Sequence, residues 1–224
     1  VDAVRRADAR ALRPGAEILL GALVAVGIAG ASRLVPTGIG LLLVIGIGSV
    51  AMRAVVDWEL GLRDRPGGVL HRDRVAARGV ATFLLFGASL GVVALVPGIV
   101  TVPDTPSARP DAVGPYAILA VSLGSAAIAA LLAAHMAALR RERLGLVIRD
   151  ALGAALLNGV ASSLFAALGV ARLAGPAGLA VIFYARELWA ATPVGERWDL
   201  RLLFEILALF GATLVALLWI GVGR

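Results

Sequence analysis

The sequence predicts an all-α membrane protein of about seven transmembrane helices, on three observations. Of its 224 residues, 60% are hydrophobic and the mean hydropathy is +0.92, whereas soluble domains sit near ~45–50% apolar. A soluble chain of this length could not bury the excess, because surface grows almost as fast as volume. The apolar residues also fall in runs near the ~20 residues that a bilayer core of ~30 Å demands of a helix. Finally, the arginines cluster in every second connection between those runs, as loops on one side of a membrane do.

The predicted spans are Ala16–Leu34, Gly38–Val56, Gly79–Val100, Pro115–Leu139, Ala151–Leu173, Ala177–Ala191 and Leu202–Val222. The first follows a polar segment, residues 1–15, with Arg5, Arg6, Arg10 and Arg13. No small-residue cleavage motif stands out there, so this span is read as retained. Its polar leader is read as a cytoplasmic segment lying on the membrane surface as an amphipathic helix. Spans one and two are separated only by Arg33–Gly38 with Pro36, and spans five and six only by Arg172–Gly178 with Gly175 and Pro176. Proline and glycine end helices and permit sharp reversals. Spans one to three occupy residues 16–100. Residues 101–150 hold a loop with Pro103, Pro106 and Pro110, span four and a basic connection, and residues 151–224 hold spans five to seven. Span six is the shortest.

The loop after span two carries Arg63, Arg65, Arg72, Arg74 and Arg78. Arg140, Arg141, Arg143 and Arg149 follow span four, and Arg197 and Arg201 follow span six. Each intervening connection carries one arginine: Arg33, Arg109 or Arg172. Positive charge marks the cytoplasmic side, so the N-terminus is expected inside and the C-terminus outside. A multi-pass protein of a prokaryotic plasma membrane is the expectation.

A partial self-similarity suggests a 3+1+3 parallel repeat, an arrangement found among transporters. Pro36-Thr37-Gly38 and Pro176-Ala177-Gly178 stand 140 residues apart, as do Trp58-Glu59-Leu60 and Trp198-Asp199-Leu200. Leu85–Leu90 then matches Leu209–Leu214 after a shift of 16 residues. Chance matching in a chain rich in Leu, Ala and Gly is the competing explanation, and Trp has its own reason to sit at the headgroup level.

Composition removes several mechanisms. With no cysteine, there is no thiolate nucleophile and no Cys-ligated cluster. All 21 basic residues are arginine, which excludes a Schiff-base lysine and a P-loop. His71 and His135 do not lie where they could share a haem within the membrane. No cofactor or metal is expected, and no nucleic acid, since the net charge of +6 sits in membrane-flanking connections. H-E-x-x-H and paired acid clusters with metal-ligand spacing are missing from the sequence, which argues against a metalloenzyme.

Ionisable groups are costly in hydrocarbon and mark candidate sites. Those in or near the spans are Glu17, Arg53, Asp57, Glu59, His135, Arg186, Glu187 and Glu205, all toward the expected cytoplasmic side. Arg186 and Glu187 are adjacent and so point about 100° apart on a helix; at least one must face protein. Glu205 interrupts the run Leu202–Leu209 and should face a partner, Arg186 being one. The functional expectation is an inner charge cluster or pathway made by Arg53, Asp57, His135, Asn158, Arg186, Glu187 and Glu205. The bland one is snorkelling arginines paired with nearby acids. Deeper polar residues are neutral: Ser89, Ser122, Ser125, Asn158, Ser162, Ser163 and Thr213. Arg140, Arg141 and Arg143 are expected to contact anionic lipid headgroups. Glycine faces such as Gly27–Gly30 and Gly87–Gly91 allow close helix packing or a homo-oligomer contact. The expected function is a transporter or channel for a small solute without a midplane proton relay. The alternative is a non-catalytic membrane subunit that anchors a partner protein.

Overall fold

The computed structural model describes residues 13–35, 38–63, 71–96, 114–140, 143–170, 173–193, 195, 197 and 199–222. These residues form seven helices: α1 (Arg13–Leu34), α2 (Ile39–Arg63), α3 (His71–Leu95), α4 (Pro115–Leu139), α5 (Leu144–Ala167), α6 (Ala174–Ala191) and α7 (Leu200–Val222). There is no strand among the described residues. Four of the helices contain a segment long and apolar enough to cross a membrane: Ile39–Trp58, Arg72–Leu95, Pro115–Leu139 and Leu144–Ala167. Leu20–Leu34 is apolar but shorter. The polar leader before Ala11, the loop with Pro103, Pro106 and Pro110, and Pro36 lie outside the described residues.

Local chemistry sets the helix ends. Gly38 adopts φ 124°, a backbone region open to glycine, so α1 and α2 are separate helices rather than one kinked rod. Pro115 opens α4 behind Gly114 in extended conformation, where its missing N–H costs nothing. Helix α5 stops at Gly169, with φ 65°, and the Val170 N–H bonds the Phe165 carbonyl at 3.0 Å. That bond across a left-handed glycine is a Schellman closure. Asp199 Oδ1 accepts the Arg201 N–H at 3.1 Å and so caps α7.

Two helices start earlier than hydropathy alone indicates. α3 begins at His71 rather than near Gly79, and α5 at Leu144 rather than near Ala151. Arginine is a good helix former, so the basic stretches continue the helices outward. Hydropathy reports where lipid begins, not where hydrogen bonding does.

Helix α3 is the hub, packing on α1, α4 and α6. It lies parallel to α1 along a glycine seam. A Cβ on Gly30 would overlap the Gly91 backbone, one on Gly91 would overlap the Val26 carbonyl, and one on Gly27 would stand 3.2 Å from the Gly87 carbonyl. Farther along, Arg33 Nη1 donates to the Leu95 carbonyl at 3.3 Å. Helix α2 returns antiparallel on α1, where Gly48 accommodates Ile28. Helices α4 and α5 form the most extensive contact of the fold, an antiparallel hairpin about residues 140–143. Helix α6 returns against α5, and Gly178 makes room for the Phe165 ring. Shortest of the seven, α6 is nevertheless buried from Ala174 to Pro176 and again at Gly178, Leu179, Ala180, Phe183, Ala185 and Glu187. The shared core gathers Leu23, Leu84, Leu85, Leu132, Leu179 and Phe183. Among the described residues the extended packing of α2 is on α1 and that of α7 is on α6. The α1–α3 seam has no counterpart between α5 and α7, which share no extended packing among the described residues.

Candidate functional site: an arginine–carboxylate ring and a neutral polar seam

Three helix termini meet at one end of the bundle: the last residue beyond α4, the second turn of α5 and the last turns of α6. There Arg140, Asp150, Arg186 and Glu187 form a closed ring of four charges. Arg140 Nη1 donates to Glu187 Oε2 at 2.7 Å and Arg140 Nη2 to Asp150 Oδ2 at 2.8 Å. Arg186 Nη1 donates to Glu187 Oε1, and Arg186 Nη2 stands 3.3 Å from Asp150 Oδ1. Arg186 also donates to the Asp150 main-chain carbonyl. Each arginine bridges both carboxylates, and each carboxylate bridges both arginines. The side chains of Arg140, Asp150 and Arg186 are 11%, 13% and 14% exposed, and Glu187 is fully buried.

The formal charge of the quartet is zero, and every carboxylate oxygen faces a guanidinium nitrogen. Such an arrangement is a poor general base, because every carboxylate oxygen is already engaged by a cation. It is a strong mechanical clamp. Burial of an ion is costly unless both its partner and its remaining hydrogen bonds are supplied, and the closed cycle supplies them. Beside it, the Arg78 guanidinium of α3 lies 5.9 Å from the Tyr184 ring centroid, within cation–π range. Tyr184 is one turn before Glu187 on α6, so all four core helices α3–α6 contribute to this end.

Deeper along α4 and α5 runs a neutral polar seam. Ser122 Oγ donates to the Gly159 carbonyl at 2.8 Å. Ser125 and Ser162 share a hydrogen bond of 3.1 Å, and Ser162 Oγ reaches the Val121 carbonyl at 3.4 Å. A glycine at 159 brings the helices together, since a Cβ there would stand 3.1 Å from that of Ala126. Asn158 is fully buried, and its Nδ2 donates back to the Ala154 carbonyl at 3.1 Å. Its Oδ1 and the Oγ of fully buried Ser89 receive no protein hydrogen bond. A buried polar atom without a partner is unfavourable by about 1–3 kcal/mol, and such atoms concentrate where a structure serves something other than stability.

The expected inner charge cluster is therefore split. Arg186 and Glu187 come together, and the full burial of Glu187 answers the geometric demand made by two adjacent charges. Arg53 and Asp57 pair with each other at 3.5 Å on the exposed face of α2, and Glu205 is exposed on α7. Arg186 spends its guanidinium on Asp150 and Glu187, not on Glu205. His135 is half-buried on α4, five residues before Arg140. Arg140, expected at the headgroups, turns inward because two carboxylates lie within its reach. Arg143 is exposed, and Arg141 lies outside the described residues, as do the side chains of Glu17 and Glu59. Ser163 and Thr213 bond carbonyls of their own helices, at 3.0 and 2.8 Å.

Asp150 is the residue that sequence reasoning missed. Its signal was a four-residue ladder, Asp150, Ala154, Asn158 and Ser162, which places all four on one helical face. The ladder is visible only if α5 is known to start before Asp150. Among the described residues, no three of His, Asp and Glu are grouped as a metal site would require. Comparison of the chain with protein-family models, with curated proteins and with solved structures finds no match.

Proposed function

We propose that this polytopic helical membrane protein is a transporter or channel for a small, neutral polar solute. In this reading seven helices span a cell membrane with the N-terminus cytoplasmic and the C-terminus outside. The observation that carries it is the contrast between two levels of the bundle. At one end the charges are locked into a neutral ring. Deeper in, the polar groups are uncharged, and Asn158 Oδ1 and Ser89 Oγ are buried with hydrogen-bonding capacity unspent. A solute hydroxyl or amide could occupy that capacity without carrying a proton across the membrane. The ring would then hold the cytoplasmic ends of α4, α5 and α6 together, and its opening would be the step that admits solute. The 3+1+3 repeat lends no weight, since α5 and α7 do not reproduce the α1–α3 packing.

The reading is tested by reconstituting the protein in liposomes and following glycerol and urea entry by stopped-flow light scattering. Entry faster than in protein-free vesicles is expected, with Asn158→Leu slowing it by about tenfold, a loss of ~1.4 kcal/mol. Rates equal to those of empty vesicles would sink it. The second reading, a non-catalytic membrane subunit, is favoured by the complete internal compensation of the ring. It predicts a stoichiometric partner that co-purifies from native membranes.

A further inference from the structure

The two outermost helices carry charges that the site does not use. Arg53 and Asp57 project from α2 with 86% and 65% of their side chains exposed. Arg201 and Glu205 are exposed on α7. Both pairs stand on faces that continue into exposed apolar or small residues, Val50 and Gly46 on α2, Ala208 and Ala212 on α7. Each set recurs at steps of three and four residues and so forms one face of its helix. A Cβ on Gly46 would meet nothing within 4 Å, so that face is open to close approach.

We propose that these faces bind each other between copies of the chain, with α2 of one protomer docked head to tail on α7 of the next. The inference rests on the seven-span reading above, which makes α2 and α7 antiparallel. With Asp57 set opposite Arg201 of the partner subunit, the antiparallel register brings Arg53 opposite Glu205 of the partner subunit. It then brings Val50 opposite the partner's Ala208, and Gly46 opposite the partner's Ala212. Both charge pairs are complementary, and small residues face the remaining positions, the pattern that lets helices approach closely in lipid. The symmetric alternatives fail on charge. A two-fold contact of α2 with itself sets Arg53 against Arg53, and one of α7 with itself sets Glu205 against Glu205. Like charges at a desolvated contact suppress association. The head-to-tail contact is heterologous, so it propagates from copy to copy and closes as a ring when the rotation permits. The exposed Arg53–Asp57 pair, which would otherwise face hydrocarbon, gains a second pair of opposite charges.

The chain has no cysteine, so introduced cysteines report alone. Oxidising membranes that hold the doubly substituted Val50→Cys, Ala208→Cys protein should yield a ladder of dimers, trimers and larger species. Val50→Cys alone and Ala208→Cys alone should remain monomeric. Adding Arg53→Glu should lower cross-linking at least about tenfold, and adding Glu205→Arg to that protein should restore it. A ladder that never forms, or dimers from Val50→Cys alone, would overturn the proposal. Maleimide labelling of Gly195→Cys and Gly223→Cys separates the two failures. Labelling from opposite sides without a ladder defeats the interface alone, whereas labelling from the same side defeats the seven-span reading and the interface with it.

Discussion

Glu187 shows what a single side chain does in this molecule. It is fully buried and held by Arg140 and Arg186, so removing its charge leaves two largely buried arginines to share Asp150 as their one remaining carboxylate in the ring. Glu187→Gln should lower stability by about 3–5 kcal/mol, the range for breaking a buried ion pair. The measurement is the midpoint of unfolding in detergent. Replacing all four ring residues with apolar side chains of similar volume should be neutral or stabilising, and would show that the ring confers specificity or gating rather than net stability. A comparable loss for the apolar quartet would refute that. Arg143 separates from Arg140 by location. Neutralising exposed Arg143 should weaken association with anionic lipid by roughly 1 kcal/mol, read by native mass spectrometry of bound lipid. Arg140→Gln should act through stability instead. At this scale the sequence was half legible. Adjacency alone required Arg186 or Glu187 to face protein, but no local rule told Arg140 and Asp150 to turn inward, because the two flank a connection whose direction the sequence leaves open.

At the scale of elements, the close approach of the α1 and α3 backbones is set by glycine positions. Gly30→Ala should be destabilising by about 1–3 kcal/mol, as overpacking is, because its Cβ direction runs into the Gly91 backbone. Gly87→Ala is the control. Its Cβ would meet nothing within 4 Å, so the gain in helix propensity should leave stability unchanged or slightly higher. Unfolding midpoints of the two variants give the comparison, and equal losses would contradict the seam. Between α4 and α5 the Ser125–Ser162 bond should contribute about 0.6 kcal/mol in a double-mutant cycle, the size of such bonds between membrane helices. The glycine faces were legible as packing faces, since only small residues permit backbones to touch. Which glycine meets which backbone was not, because three glycines on one helix are equivalent until a partner arrives. The short sixth helix illustrates the same limit. It is the shortest of the predicted spans, yet Gly175, Pro176 and Gly178 let it sink against Phe165, and half of its residues are buried.

The whole molecule has a centre and two flanks. Among the described residues α3 packs extensively on three neighbours, while α2 and α7 each do so on one, leaving Ile39, Leu42, Ile47 and Val50 at 68–79% exposed on α2. Such surface would aggregate in water but is ordinary in lipid. The proposed arrangement in the membrane is checked by aqueous maleimide labelling of Gly38→Cys and Gly61→Cys, one at each end of α2. They should react from opposite sides, Gly61→Cys from the cytoplasm, and reversed reactivity would invert the whole assignment. By itself the sequence determined the helical class and the presence of several helices apolar enough to cross a membrane, because hydropathy and helix-ending residues are local and survive without knowledge of the fold. Only the tertiary structure decided which charges pair, which helices lie inside and which apolar faces stay open. Those outcomes depend on the relative placement of residues far apart in the chain, and in hydrocarbon a charge or a glycine acquires its role from what stands opposite it.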